Sequence, residues 1–404
     1  MHVSKLISTS AALALLPAAL AAQSGAPVEQ GPKNVPEFEP AFETQTRAPA
    51  ADSGVELKVE ILAAGLAHPW GVAPLPSGHV LVTERPGRLR VVSPDGSVSD
   101  PVSGLPEVHA VKQGGLLDIA TGPGFADDRM IYWTYAKPLT DGTSATAAAR
   151  GVLSEDTTEV TQVEDIFVQD PASPTPMHYG SRVIFDGNGH ALVSTGEHFS
   201  MEERDYAQDI DKTYGKTIRV RLDGEIPEDN PFAGRDDAIP SIWSYGHRNI
   251  QGAAIRPDTG QFWIIEHGPK GGDELNLIEP GANYGWPAIS YGETYDGNPV
   301  GSGEARMEGM TGPQYYWDPV IAPGGMLFYQ GDAFADWKGD VLIASLVPGA
   351  LVRLEMDGDR VAAEERLLPD QGRIRDLAEA ADGAVLALVD AEDGAILRLT
   401  PKAD

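Results

Sequence analysis

The sequence predicts an all-β fold, and within that class a six-bladed β-propeller. Short β-rich runs are joined repeatedly by tight turns, and no long segment shows the apolar period of a helix. The chain of 404 residues contains 45 glycines and 32 prolines, a composition that favours short strands. Six strand–turn–strand units recur at intervals of roughly 40 to 80 residues, the scale of four-stranded blades. A two-sheet sandwich is the alternative, but a ring accommodates six units better.

Each unit carries the Gly, Asn or Asp that a tight turn requires. In chain order the units and their turns are His79–Val92 (Arg85–Gly87), Leu116–Ala136 (Gly122–Phe125), Val183–Thr195 (Asp186–Gly189), Gly252–Glu266 (Pro257–Gly260), Asp340–Leu354 (Pro348–Gly349) and Leu377–Leu399 (Ala381–Gly383). An earlier strand, Val55–Leu62, is placed to close the ring against the last unit. The extra length between the third and fifth units predicts long loops on one face, where function usually lies.

Two segments precede the propeller. Residues 1–22 have the pattern of a secretory signal, because Lys5 is followed by the apolar run Ala11–Leu20 and by small residues suited to cleavage. That run is too short for a membrane span, so a periplasmic or secreted protein is expected. Residues 23–54 are proline-rich without an apolar period, which predicts a disordered or extended leader before a single propeller domain over residues 55–404.

Composition limits the partners and the chemistry. Asp and Glu outnumber Lys and Arg by 60 to 30, a formal net charge of −30, so nucleic acid and anionic membranes are not expected partners. The absence of cysteine excludes disulfides, thiolate catalysis and Cys-ligated zinc. Some of the acidic residues could instead serve Ca²⁺, which prefers oxygen ligands.

The densest polar chemistry lies between residues 245 and 286. Arg248 and Asn249 sit in a loop before an apolar run, and both offer directed donors for an anion or a carbonyl, although pairing of Arg248 with a surface acid is the simpler interpretation. Four later positions could supply oxygen to Ca²⁺, namely the carbonyls of Gly268, Pro269 and Tyr284 and the carboxylate of Glu274. The spacing is not that of an EF-hand, so Asx turns and strand caps remain the alternative.

Three other places carry candidate chemistry. His178 lies in a proline-rich loop before a strand and could be a general base, with His267 as a rival, while a hydrogen-bonded loop histidine is the simpler alternative. Gln113 precedes two glycines that allow a ligand to approach the backbone closely. Arg373 and Arg375 would share one strand face, where a carboxylate of Asp376 or Glu379, or of a ligand, could separate the two cations.

Six motifs contain or adjoin these candidates. They are Gln113-Gly-Gly-Leu-Leu-Asp118, His178-Tyr-Gly-Ser-Arg182, Tyr245-Gly-His-Arg-Asn249, Glu266-His-Gly-Pro-Lys-Gly-Gly-Asp-Glu274, Asn283-Tyr-Gly-Trp-Pro287 and Arg373-Ile-Arg-Asp376. Together they make the chain resemble the soluble quinoprotein aldose sugar dehydrogenases, relatives of soluble PQQ glucose dehydrogenase, from about residue 57 to 400. The fold of that family is a six-bladed propeller, in agreement with the six units.

The resemblance implies a role for each matched position. His178 would take the proton of the sugar's anomeric hydroxyl as hydride passes to PQQ, and Arg248 would stabilise the charge growing on the quinone oxygen. The other cofactor contacts would be Gln113 and Asn249 at the quinone, Tyr295 against the cofactor, and Arg373 and Arg375 at its carboxylates. Gly268 and Pro269 would hold the Ca²⁺ that polarises PQQ, and Glu274 and Tyr284 a second, structural Ca²⁺.

One segment departs from the family pattern. The family commonly has a Ser/Ala-Leu-Lys segment whose lysine contacts the cofactor, and here the matching positions are Ser345, Leu346 and Val347. Loss of that ion pair should weaken PQQ binding about tenfold or more if the site is dry. Lys338 is near enough in sequence to substitute.

The resemblance therefore implies a PQQ- and Ca²⁺-dependent dehydrogenase that oxidises aldoses to lactones and passes electrons to an external quinone, dye or cytochrome, as a monomer or homodimer. A calcium-dependent lactonase-type hydrolase and a non-catalytic propeller that binds sugar or protein are the alternatives. The retention of His178, Arg248, Arg373 and Arg375 argues against a propeller that has lost its cofactor, and a lactonase has no shared purpose for these four residues.

Overall fold

A computed structural model describes residues 25–402, and in that range the chain is almost entirely β-structure. The strands are β1 (Leu57–Leu66), β2 (Pro69–Pro74), β3 (Val80–Glu84), β4 (Arg88–Val92), β5 (Leu116–Thr121), β6 (Met130–Pro138), β7 (Ser144–Leu153), β8 (Val160–Val168), β9 (Gly180–Phe185), β10 (His190–Thr195), β11 (Lys216–Arg221), β12 (Ile242–Tyr245), β13 (Ile250–Ile255), β14 (Phe262–Glu266), β15 (Asp273–Leu277), β16 (Tyr315–Trp317), β17 (Pro323–Phe328), β18 (Val341–Ser345), β19 (Ala350–Asp357), β20 (Arg360–Leu367), β21 (Ile374–Glu379), β22 (Val385–Val389) and β23 (Gly394–Pro401). The described helices are a four-residue α-helix, Phe125–Asp128, and two 3₁₀ turns, Arg204–Ala207 and Ala335–Trp337.

The strands form six antiparallel sheets, which confirms the predicted six-bladed propeller. Blade 1 is β2–β4, blade 2 is β5–β8, blade 3 is β9–β12, blade 4 is β13–β16, blade 5 is β17–β20, and blade 6 is β21–β23 with β1. The first strand of each blade is innermost, and these six strands contact one another in a closed ring. Each of the six hairpins expected from the sequence falls in a different blade.

The ring is closed by pairing the two ends of the propeller. Strand β1 pairs antiparallel with β23, from Leu57 opposite Pro401 to Leu66 opposite Gly394. The early strand was therefore placed correctly by the sequence, although it begins and ends later than expected. The N-terminal strand thus supplies the outermost strand of blade 6, and the two ends of the propeller are held together in one sheet.

The hydrophobic core is divided among the interfaces between neighbouring blades. Each blade is covered on both faces, so a central strand such as β18, with the sequence Val-Leu-Ile-Ala-Ser, is buried at every position. Large side chains fill these interfaces, and Trp133, Trp263 and Trp337 are each fully buried. Blades packed in this way form a rigid frame, on which loops from different blades can be held in fixed relation.

Residues 25–54, the described part of the leader that was expected to be disordered or extended, contain bends, turns and isolated bridges but no strand or helix. This leader packs on the outer parts of blades 4 and 5. The carboxylate of Asp318 accepts the backbone N–H groups of Asn34 and Val35, both at 2.9 Å, and Ala50 forms a parallel bridge to Glu364. These partners lie about 280 to 310 residues along the chain, so no local pattern could have indicated them.

The predicted signal at residues 1–22 lies outside the described residues. From residue 25 to 402, none of the helices has the length and apolar character needed to cross a membrane.

Candidate active site

A cavity of about 350 Å³ opens at one end of the ring, within the size range of small-ligand sites. Eight of the predicted residues line it: Gln113, His178, Arg248, Asn249, Tyr295, Leu346, Arg373 and Arg375. Six further residues complete the wall: His68, Trp70, Arg85, Gln251, His267 and Asp390. Since every blade contributes to this wall, the cavity exists only in the folded ring.

His178 is held by a carboxylate that the sequence did not indicate. Its Nδ1 lies 2.8 Å from Oε1 of Glu197, a buried residue that follows β10. The backbone N–H of His178 donates to Oε1 of Gln113 at 2.8 Å. With Nδ1 engaged by Glu197, Nε2 is the ring nitrogen left for a ligand in the cavity.

The backbone around this pair is strained. His178 has φ of 41°, and Phe199, whose ring is 4.9 Å from the imidazole, has φ of 56°. Left-handed conformations are unfavourable for residues other than glycine and persist where the surrounding structure imposes them. The packing therefore holds His178 in one orientation.

The protonation of the pair is shifted by burial and by a nearby cation. Burial, assisted by the charge of Arg248, holds the pKa of His178 well below its usual value. Burial raises the pKa of Glu197 to about 7, although Arg248 opposes this rise. His178 is consequently a neutral imidazole, the form that can accept a proton.

The rival histidine is less available. Nε2 of His267 lies 2.6 Å from the carbonyl oxygen of Pro323, and burial lowers its pKa well below the usual value. His267 lines the same cavity, but no carboxylate partner orients it among the described residues.

Arg248 is 3% exposed and is held by backbone oxygens and aromatic rings. Its Nη1 donates to the carbonyl of Gly268 at 2.7 Å and of His267 at 3.2 Å, and its guanidinium lies 5.1 Å from the ring of Trp286. Its Nε is buried and has no protein partner within residues 25–402. A buried donor of this kind indicates a place for a ligand acceptor.

The side-chain amide oxygens of Gln113 and Asn249 each accept a hydrogen bond from a backbone N–H. Gln113 accepts from the N–H of His178, and Asn249 accepts from the N–H of Gly180 at 3.0 Å. Each therefore retains its NH₂ group, a pure donor, for a ligand acceptor in the cavity.

The two arginines at 373 and 375 share a counter-ion that the sequence did not identify. Asp390 lies 2.8 Å from Nη2 of Arg375 and 3.9 Å from Nε of Arg373. The expected carboxylates act elsewhere, since Asp376 pairs with Arg182 and Glu379 accepts a backbone N–H. Two guanidinium groups with one carboxylate leave the wall cationic, which suits an anionic ligand.

The segment 345–347 reaches the cavity only through Leu346. The hydroxyl of Ser345 is buried and donates to the carbonyl of Ile321 at 2.8 Å, and the side chain of Val347 is 48% exposed and outside the wall. Ser345 and Val347 are therefore not wall residues, because the turn after β18 directs only the middle side chain inwards. Lys338 does not line the cavity either; it is exposed and pairs with Asp332.

A second, much smaller cavity of about 20 Å³ adjoins the first and has room for a single ion or water. Gly268, Glu274 and Tyr284 line it, whereas Pro269 lines a neighbouring apolar cleft. Glu266 and Glu274 face each other across β14 and β15, and burial together with the carboxylate of Glu266 raises the pKa of Glu274 well above its usual value.

In the described range, no three His, Asp or Glu side chains are grouped as a metal site. A cation beside Glu266 and Glu274 would therefore depend on backbone carbonyls for its remaining ligands. The phenol of Tyr284 is already bonded to Leu277 and Glu279, so only its carbonyl could serve.

Comparison with known proteins bears on what this arrangement is for. The family model described as Glucose / Sorbosone dehydrogenase matches residues 66–398, most of the chain. The chain belongs to that family. A curated aldose sugar dehydrogenase of Escherichia coli (strain K12) is 41% identical over 349 residues, which cover 86% of this chain and 93% of the relative.

Solved structures place this glucose/sorbosone dehydrogenase family member among propeller enzymes. The apo-form of the soluble aldose sugar dehydrogenase from Escherichia coli matches with a TM-score of 0.82 at 39% identity, covering 86% of this chain and all of the other. The PQQ-bound form of aldose sugar dehydrogenase from Streptomyces coelicolor matches with a TM-score of 0.71 at 28% identity, covering 86% and 99%. The family resemblance expected from the motifs is thereby confirmed.

Proposed function

We propose that this protein oxidises aldose sugars at the anomeric carbon to lactones, with PQQ as the cofactor and Ca²⁺ as its companion ion. The observation that carries the proposal is the His178–Glu197 pair facing a cavity walled by Arg248, Arg373 and Arg375. A neutral base opposite a cationic wall suits a reaction in which a hydroxyl loses a proton beside an anionic, electron-accepting group. The aldose sugar dehydrogenases of similar fold support this choice.

The donor set fits PQQ, a planar quinone with three carboxylates. Arg373 and Arg375 offer cationic forks for carboxylates, and the amide groups of Gln113 and Asn249 offer donors for quinone oxygens. The unpartnered Nε of Arg248 supplies a further buried donor. When bound, PQQ would accept the two electrons that leave the sugar.

The chain's own part in the reaction is to move one proton and stabilise one charge. Nε2 of His178 would accept the proton of the anomeric hydroxyl as the carbon–hydrogen bond at the same carbon is broken. Glu197 would then stabilise the imidazolium through Nδ1. Arg248 would favour negative charge on the acceptor side, and as its guanidinium is already fixed, it reorganises little during the step.

The carbonyls of Gly268 and Pro269 are the proposed Ca²⁺ ligands beside the cofactor, and Glu274 with the carbonyl of Tyr284 the proposed structural site. Glu266 is buried and lies opposite the partly exposed Glu274 on neighbouring strands, and a divalent cation would relieve the repulsion between the two carboxylates. The external electron acceptor would be a quinone, dye or cytochrome, and the mature protein would act in the periplasm or outside the cell as a monomer or homodimer.

The direct test is reconstitution. Metal-stripped protein is incubated with PQQ and Ca²⁺, and aldose-dependent reduction of a redox dye is followed. Reduction that requires all three components is the expected result. No reduction with any aldose, together with hydrolysis of a lactone without PQQ, would favour the hydrolase instead.

Replacing Glu197 with glutamine should change the pH dependence of oxidation. The pair in the native protein loses its last proton near pH 7, because the pKa of Glu197 is raised to about 7, so kcat/KM should rise through that pH. In the variant only His178 titrates, and its lowered pKa moves the rise to lower pH. The plateau should fall by about 10²- to 10⁴-fold, since an amide does not stabilise the imidazolium. A midpoint unchanged from the native protein would count against the pair.

Replacing Val347 with lysine should restore part of the missing cofactor contact. Position 347 lies outside the wall and is 48% exposed, so a lysine there would reach the cofactor only through its long side chain and the ion pair would be screened by water. PQQ should therefore bind only about two- to fivefold more tightly. Equilibrium titration of PQQ measures the change. Val347→Gln, similar in length but neutral, is the control, and equal affinities for the two variants would show that no ion pair forms.

A further inference from the structure

Three of the motifs that carry the family resemblance contain a charged residue with no part in the proposed reaction. These residues are Asp118, Arg182 and Asp376, and they lie on the innermost strands β5, β9 and β21. Each is at most 5% exposed. Charged groups so deeply buried need a specific partner, and here they are one another's.

The three side chains form a single ion cluster on the propeller axis, which we call the axial triad. Nη1 of Arg182 lies 2.9 Å from Oδ1 of Asp118 and 2.9 Å from Oδ1 of Asp376. The second oxygen of each carboxylate accepts a backbone N–H, from Val183 at 2.8 Å and from Val72 at 3.0 Å. The carboxylates are therefore fixed on both sides.

The axial triad touches the inner strand of every blade. Besides β5, β9 and β21, it bonds β2 through the N–H of Val72 and β13 through the carbonyl of Gln251, which accepts from Nε of Arg182 at 2.6 Å. On β17 it packs against Gly325, where an added Cβ would lie 1.8 Å from the carboxylate of Asp376. One guanidinium thus sets the mutual position of six strands.

Two residues that contact the triad also line the candidate cofactor cavity. The guanidinium of Arg182 lies 4.5 Å from the ring of Trp70, and Arg375 lies 5.9 Å from the same ring. Gln251 accepts from Arg182 through its carbonyl and from Nη1 of Arg375 through its side chain at 2.7 Å. The triad is therefore one contact away from Arg375.

We propose that Asp118, Arg182 and Asp376 are positioning residues that hold Trp70, Gln251 and, through them, Arg375 in the geometry that binds the anionic cofactor. The inference rests on the proposed function, because it takes PQQ as the bound group. Buried ion clusters add little net stability compared with apolar side chains of the same volume, so stability alone does not explain one at this place. The cluster is explained if the guanidinium of Arg182 and its two carboxylates fix the six inner strands around the binding wall.

The test is Arg182→Lys, which keeps the charge but loses the planar fork that reaches both carboxylates and Gln251. PQQ is titrated into cofactor-free protein with Ca²⁺ present, and binding is followed by tryptophan fluorescence without any sugar. The dissociation constant for PQQ should rise by about tenfold or more, the change expected when one charged contact is displaced.

The chain offers a matched control in Arg353, whose side chain is 3% exposed against 6% for Arg182. It pairs with three carboxylates in blade 5, those of Asp340, Glu355 and Glu365. Arg353→Lys should lower thermal stability as Arg182→Lys does, yet leave PQQ affinity within about twofold. Equal affinities for the two folded variants would overturn the inference.

If Arg182→Lys does not fold, Asp118→Glu is measured instead, since it keeps every charge and displaces the guanidinium by one methylene. It should also weaken PQQ binding, and unchanged affinity would overturn the inference. Failure of the native protein to bind PQQ is a different result, and it would overturn both the inference and the proposed function.

Discussion

Replacing His178 with glutamine should lower kcat for aldose oxidation by about 10²- to 10⁴-fold, the usual contribution of a positioned general base. Glutamine keeps much of the size of the side chain, and its amide can still occupy the place beside Glu197. It cannot accept a proton near neutral pH. The loss should therefore appear mainly in kcat, with little change in the affinity for PQQ, because His178 would act on the sugar rather than hold the cofactor.

Steady-state kinetics of the reconstituted variant, with PQQ affinity measured separately, would distinguish a lost base from a lost site. His190→Gln is a suitable control, because His190, the first residue of β10, also pairs with a carboxylate, that of Asp186 in the preceding turn, and lies outside the cavity. The control should retain its full rate. Oxidation by His178→Gln at near the native rate would remove His178 from the base role and direct attention to His267.

The features that the sequence predicted correctly are those encoded locally. Turn residues such as Asp186–Gly189 specify a hairpin through their own backbone preferences, and a continuous apolar run such as β18 reports burial on both faces. Arg248 and Asn249, which share one polar motif, both lie in the cavity wall, and their roles toward a cofactor stay predictions.

The features that the sequence missed are partners contributed by another strand. Glu197 follows His178 by 19 residues and meets it only because β9 and β10 form a hairpin. Asp390 reaches Arg375 across the β21–β22 pair, whereas the nearer Asp376 is drawn to Arg182. Which charged side chains pair in a propeller depends on which strand ends meet in the fold. The separation of two residues along the sequence does not predict those meetings.

Replacing Arg248 with methionine should reduce kcat by about 10²- to 10³-fold and also shift the pH dependence. The cation now lowers the pKa of His178 by disfavouring the imidazolium. Without it, the pKa of His178 rises, and Glu197 loses a cation that lowers its pKa as well. Both changes keep a proton on the pair to higher pH, so the rise of kcat/KM should move upwards.

This upward shift of the pH profile is opposite to the downward shift expected for Glu197→Gln. Measuring both variants therefore tests the His178–Glu197 pair more stringently than measuring one. Arg248→Lys is the matched variant, because it keeps the positive charge but cannot bond the carbonyl of Gly268 with the same fork. Its pH profile should stay near that of the native protein while kcat falls about tenfold. If methionine and lysine give the same pH profile, Arg248 does not act on the pair through its charge, and its role would be reduced to shaping the cavity.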